Sequence, residues 1–65
     1  MDDFLTRLKV EQEQLQDKID KLSPFIGTEN FMKLPEVQKV LLHAQLSAMR
    51  SYNTILVMRL QNLNQ

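Results

Sequence analysis

Residues 35–63 read PEVQKVLLHAQLSAMRSYNTILVMRLQNL, a stretch of 29 residues with proline only at its first position and no glycine. Proline suits the first turn of a helix because its missing N–H would go unused there, and Glu36 beside it favours the positive end of the helix dipole. The stretch therefore predicts one helix, about 43 Å long. It carries two apolar stripes. Val37, Leu41, Ala44, Ala48 and Ile55 form the first; Leu42, Leu46, Met49, Leu56, Leu60 and Leu63 form the second, displaced around the helix. One partner helix covers only one such stripe.

Upstream, Leu5, Leu8, Gln12, Leu15, Ile19 and Leu22 alternate steps of three and four, the spacing of a seam that packs on a neighbouring helix. Gln12 interrupts this seam, and a polar residue at a core position trades stability for a fixed register. The spacing predicts a helix over about 3–26, started by the carboxylate of Asp2 or Asp3. It is expected to pass Pro24 with a kink and to stop at Gly27 in the left-handed role that follows a helix end. Residues 27–34 form a connector with room for one helical turn, in which Phe31, Met32 and Leu34 are expected to close the end of the core. The fold class is all-α: an antiparallel two-helix hairpin, residues 1–65 making one domain.

The chain has 65 residues, 43% of them hydrophobic, and no cysteine. A single core in so short a chain contributes about 3–5 kcal/mol at most, with no disulfide to reinforce it. The first helix spans about 33–36 Å, so roughly the last two turns of the second should overhang, leaving Leu56, Leu60 and Leu63 uncovered. Together with the unpaired stripe this predicts a symmetric helical-bundle homo-oligomer.

The net charge is zero, but all eight acidic residues lie in 1–36 with five basic ones, giving −3. Residues 37–65 hold Lys39, Arg50 and Arg59 with no acid, giving +3. The two halves are expected to attract each other or a neighbouring subunit, and the basic half can meet an anion. No apolar run approaches the roughly 18 residues of a membrane span, and MDDFLTRLK lacks the features of a signal peptide, so a cytoplasmic protein without membrane attachment is expected. Scattered basic residues and a long connector argue against DNA binding. A solitary His43, no cysteine and no glycine-rich phosphate loop argue against an enzyme, a metal site or a cofactor; His43 reads as a structural or solvent-facing residue.

Gln38, Gln45, Tyr52 and Arg59 recur every seven residues and share one edge of the second helix, with Arg50 and Asn53 nearby. Amides for a base edge, an aromatic plane for stacking and guanidinium groups for phosphate match a nucleotide. The candidate ligand-binding residues are accordingly Gln45, Arg50, Tyr52, Asn53 and Arg59. The same row also reads as interhelical contacts that only specify pairing.

Lys21-Leu22, Phe25-Ile26, Phe31, Leu34, Gln38, Leu41-Leu42, Gln45-Leu46, Ala48-Met49, Tyr52, Leu56 and Arg59 form a pattern covering nearly the whole chain. It resembles a group of small phage-encoded helical-hairpin proteins that includes members from crAss-like phages. Their oligomeric hairpin looks like that of phage anti-defence sponges, the anti-CBASS and anti-Thoeris proteins that capture cyclic nucleotide or cyclic ADP-ribose signals between protomers. The resemblance implies capture of such a signal without catalysis in the host bacterial cytoplasm, with Gln45, Tyr52 and Arg59 as the polar positions carried over. The competing expectation is an oligomeric interaction module that blocks a host or phage protein.

Overall fold

The computed structural model describes residues 3–63 of the chain. Helix α1 spans Phe4–Phe25, a single turn α2 spans Glu29–Met32, and α3 spans Glu36–Leu63. The two long helices run antiparallel: Arg59 lies over Phe4, Tyr52 meets Glu11 and Arg50 reaches Ser23. The result is a rod of 46 × 18 × 15 Å.

Asp3 caps α1, its carboxylate accepting from the Thr6 N–H at 2.8 Å. That bond holds the Asp3 carboxyl below its ordinary value, so its contribution to the helix start is present at neutral pH and is lost as pH falls through the lowered value. Asp2, the other expected start, lies outside the described residues. The helix continues through Pro24, as the apolar spacing of Phe25 and Ile26 implies, and ends at Phe25 with Ile26 still in a right-handed helical conformation.

Gly27 does not take the expected left-handed conformation. Thr28 closes this end instead. Its hydroxyl donates to the Phe25 carbonyl at 2.7 Å and accepts from the Phe31 N–H at 3.2 Å, so one side chain finishes α1 and starts α2. Two short-range backbone bonds, from Gly27 N–H to the Pro24 carbonyl and from Thr28 N–H to the Phe25 carbonyl, complete the turn. The connector thus contains the single helical turn that its length allows.

Leu8 and Ile19 of α1 pack with Leu46 and Leu56 of α3, and Phe31 of α2 caps the connector end; these five residues are the buried apolar core. Leu5, Leu15 and Leu22 are half-buried on the same seam, so the three-four spacing of α1 marks its inward face. On α3 the inward stripe is the second one, through Leu42, Leu46, Met49, Leu56 and Leu60. Phe31 also lies edge-on to Phe25 and His43, with ring centroids at 6.0 and 5.5 Å. Met32 does not close the core: it is 65% exposed, while Leu34 is half-buried.

The expected overhang is largely absent. Leu56 is fully buried and Leu60 half-buried, leaving Leu63 at 48% exposure. The difference in helix length is absorbed at the connector, where α2 lies beside the first turns of α3 through the Phe31–His43 contact and a bond from Lys39 Nζ to the Met32 carbonyl. Phe4 therefore comes level with Arg59 at the far end. The opposite charges of the two halves do not form ion pairs between helices among the described residues. Lys21–Asp17 and Lys39–Glu36 are both pairs within one helix. No helix among these residues is long and apolar enough to cross a membrane.

Two substitutions test this packing. Leu56→Ala should cost about 2–5 kcal/mol, enough to remove most of the helical circular dichroism of so small a fold. Retention of a cooperative transition at the wild-type temperature would contradict the central role of Leu56. A methyl group at Gly27 meets only the Pro24 carbonyl oxygen, at 3.6 Å. Gly27→Ala should accordingly raise stability by about 0.4–1 kcal/mol through the unfolded chain; a loss in urea denaturation would point to left-handed backbone there.

Candidate functional site

The five sequence-predicted residues fall in three places. Gln45, Tyr52 and Arg59 share one flank of α3, with side chains exposed. Successive members are seven residues apart, about 10.5 Å along the helix. Arg50 projects from the opposite flank, where its guanidinium donates to Ser23 Oγ at 3.0 Å. Asn53 lies between the helices: its amide oxygen accepts from Gln12 at 3.1 Å and its amide nitrogen donates to Gln16 at 2.9 Å. Gln12 thus has the register-fixing contact expected of a polar residue in the seam.

Beside the Gln45 flank, α1 contributes a parallel row. Glu11, Leu15, Lys18, Leu22 and Phe25 repeat the steps of four and three that bring residues to one side of a helix. Between the rows runs a groove of about 640 Å³, lined by Leu15, Lys18, Lys21, Leu22, Phe25, Gln45 and Met49. Its volume is in the range of small-molecule sites, about 300–1,000 Å³. The floor is apolar and the rim carries two ammonium groups and one amide. Lys21 is engaged by Asp17 at 2.9 Å, whereas Lys18 has no ion-pair partner among the described residues.

Tyr52 continues the same flank. Its hydroxyl donates to the Glu11 carboxylate, which fixes the ring against α1 while leaving it 43% exposed. The hydrogen bond to Glu11, then burial and the negative charge of Glu11, raise the hydroxyl above its ordinary 10.0. This contact stabilises the fold below pH 10 and is lost as pH rises through the elevated value. Arg59 places its guanidinium 5.4 Å from the centroid of the Phe4 ring, a cation–π contact at the first residue of α1.

Sequence spacing alone does not single out Lys18 or Glu11 as site residues. The signal available was their common spacing with Leu15 and Leu22. Chemically, the site offers apolar surface, cations and an amide, a set complementary to a flat anionic molecule. No group of three His, Asp or Glu residues able to hold a metal occurs among the described residues.

Fold and groove define a small all-α helical hairpin with an open, largely apolar groove between its long helices. Residues 2–62 match the family model of Sequestin, and the chain belongs to that family. The family name denotes sequestration, in keeping with a chain whose polar groups line an open groove. Neither the curated proteins nor the solved structures contain a match.

The Tyr52–Glu11 contact is directly testable because Tyr52 is the sole tyrosine. Ultraviolet absorbance titration should give a midpoint above 10.0 in the wild type and a return towards 10.0 in Glu11→Gln. Identical midpoints in the two proteins would contradict the contact.

Proposed function

We propose that this chain sequesters a nucleotide-derived immune signal, of cyclic oligonucleotide or cyclic ADP-ribose type, and thereby acts as a phage anti-defence protein in the host bacterial cytoplasm. The observation that carries this reading is the alignment of Gln45, Tyr52 and Arg59 on one flank of α3, with Gln45 itself lining an apolar groove rimmed by Lys18 and Lys21. A base lies on the floor made by Leu15, Leu22, Phe25 and Met49, burying apolar surface from both partners. Gln45 supplies a donor and an acceptor to its polar edge. Tyr52, braced by Glu11, offers a stacking surface for a second ring, about 10.5 Å further along the helix. Lys18 and Arg59 neutralise phosphates near either end.

Capture needs affinity and slow release but no general base or nucleophile. The residues of this site fit that demand: their polar groups are suited to hold charge and to orient rings. Family membership supports sequestration as the activity. The nucleotide identity rests on the chemistry of the groove. Arg50 and Asn53 take structural places in this reading, holding Ser23 and the Gln12–Gln16 pair.

A second reading, a module that blocks a host or phage protein, is favoured by the exposed apolar side chains Val37, Val40, Leu41, Ile55 and Met58. The two differ at the polar row. A protein-blocking module tolerates loss of Lys18 and Arg59 and ignores free nucleotides.

Thermal denaturation with cyclic dinucleotides, cyclic trinucleotides and cyclic ADP-ribose isomers, each added separately, tests the proposal. At free ligand about 100-fold above Kd the native state gains about 2.7 kcal/mol, a large rise in Tm for this chain. Lys18→Ala and Arg59→Ala should keep the helical spectrum and weaken that ligand about tenfold each. Absence of a shift with every compound, in folded protein, would reject the nucleotide reading in favour of the blocking module.

A further inference from the structure

Phe4, Glu11 and Lys18 follow one another by seven residues along one flank of α1, and Arg59, Tyr52 and Gln45 do so in reverse along α3. Arg59 lies over Phe4 and Tyr52 donates to Glu11. The same register brings Lys18 level with Gln45, and both line the groove. Charge along this flank therefore alternates: positive at Lys18, negative at Glu11 and positive at Arg59. Neither cation has an ion-pair partner among the described residues. The other acids in the body of α1 face elsewhere, since Glu13, Asp17 and Asp20 lie roughly 120° or more around the helix from Glu11.

The bond to Tyr52 does not by itself call for a carboxylate. The tyrosine is exposed, and a neutral amide oxygen or water also accepts from its hydroxyl. That bond occupies only one oxygen of Glu11; the other has no donor among the described residues. Glu11 is exposed and stands one turn beyond Leu15, the residue at which the groove ends on α1. We infer that Glu11 is a specificity-determining residue of the ligand site: its second oxygen accepts from a ribose hydroxyl, and its charge keeps phosphate away from the same place. The inference rests on the ligand reading proposed above.

Distance decides what the charge of Glu11 does. Seven residues put it about 10.5 Å along the helix from Lys18 on one side and from Phe4, with Arg59 above it, on the other. The screening length at physiological ionic strength is about 8 Å, so Glu11 only slightly weakens an anion held at either end. A phosphate in contact with the carboxylate is repelled without such screening and finds no donor there. A sugar finds the opposite. An ionised carboxylate accepts only, which suits a hydroxyl, and acidic side chains read ribose hydroxyls in dinucleotide-binding folds in the same way. A base on the groove floor sets its sugar over Leu15, next to Glu11. Tyr52 holds the carboxylate in place beforehand, so little freedom is lost when the hydroxyl arrives.

Titration calorimetry tests this with three probes: adenosine 5′-monophosphate, its 2′-deoxy counterpart and adenosine 2′,5′-bisphosphate. Each is added to the wild type, Glu11→Gln and Glu13→Gln, with circular dichroism confirming the helices. The wild type should bind the deoxy compound about tenfold more weakly than the ribose compound, as loss of a hydrogen bond to a charged group implies. It should also bind the bisphosphate more weakly than the monophosphate, despite the added charge. Glu11→Gln keeps an oxygen for Tyr52 but removes the charge. In that variant the ribose preference should fall to about threefold, the scale of a neutral hydrogen bond, and the bisphosphate should overtake the monophosphate. Glu13→Gln removes the same charge from another side of α1 and should keep the wild-type order. The same order in wild type and Glu11→Gln, an equal change in Glu13→Gln, or a wild type that prefers the bisphosphate would each overturn the inference and leave the ligand reading standing. So would binding of a cyclic nucleotide by a protein that ignores all three probes. Failure of every compound, cyclic ones included, defeats the ligand reading and this inference with it.

Discussion

Asn53 holds the two long helices in register, and the candidate site depends on that register. Apolar packing between α1 and α3 is not directional, so leucine against leucine tolerates a slide of one turn. The amide of Asn53 does not tolerate it, because its oxygen accepts from Gln12 and its nitrogen donates to Gln16. A slide strands three partly buried amides, each worth about 1–3 kcal/mol when left unsatisfied. With the clasp formed, Tyr52 meets Glu11, Arg59 lies over Phe4 and Gln45 borders the groove. The same polar contact therefore sets the pairing of the helices and the spacing of the groups in the candidate site.

The second constraint is the width of the apolar surface on α3. Its inward stripe supplies Leu46 and Leu56 to a core of five buried residues, a small store of stability for a 65-residue chain. Its outward stripe is spent on nothing within the chain. In this chain the helix that packs on α1 through one face leaves apolar side chains on its opposite face exposed. The polar row lies on the boundary between those faces, where Glu11 of α1 braces Tyr52.

Much of the fold is legible in the sequence because both helices have long, regular periodicity. The three-four spacing of Leu5 through Leu22 identifies the inward face of α1, and Gln12 stands out as the polar member of that seam. What it pairs with is not legible, since spacing along one helix carries no information about which residue of α3 lies opposite. Asn53 therefore reads as a ligand group until the helices are brought together. Arg50 was separable in principle: it precedes Tyr52 by two residues, which places it on nearly the opposite side of a helix. The turn at Gly27 and the overhang share one cause. Thr28, through contacts on both sides, folds α2 against α3, which closes α1 without a left-handed residue and takes up the difference in helix length.

Sequestration differs from enzymatic destruction in the fate of the captured molecule, and that difference tests the account most directly. The folded protein is incubated in turn with cyclic dinucleotides, cyclic trinucleotides and cyclic ADP-ribose isomers, freed of unbound compound, then denatured by heat, and the released molecule is measured by chromatography. The account predicts recovery of the intact nucleotide in a fixed ratio to protein, unchanged by hours of incubation. A shortened or opened product, or a yield of intact ligand that falls with time, would contradict it.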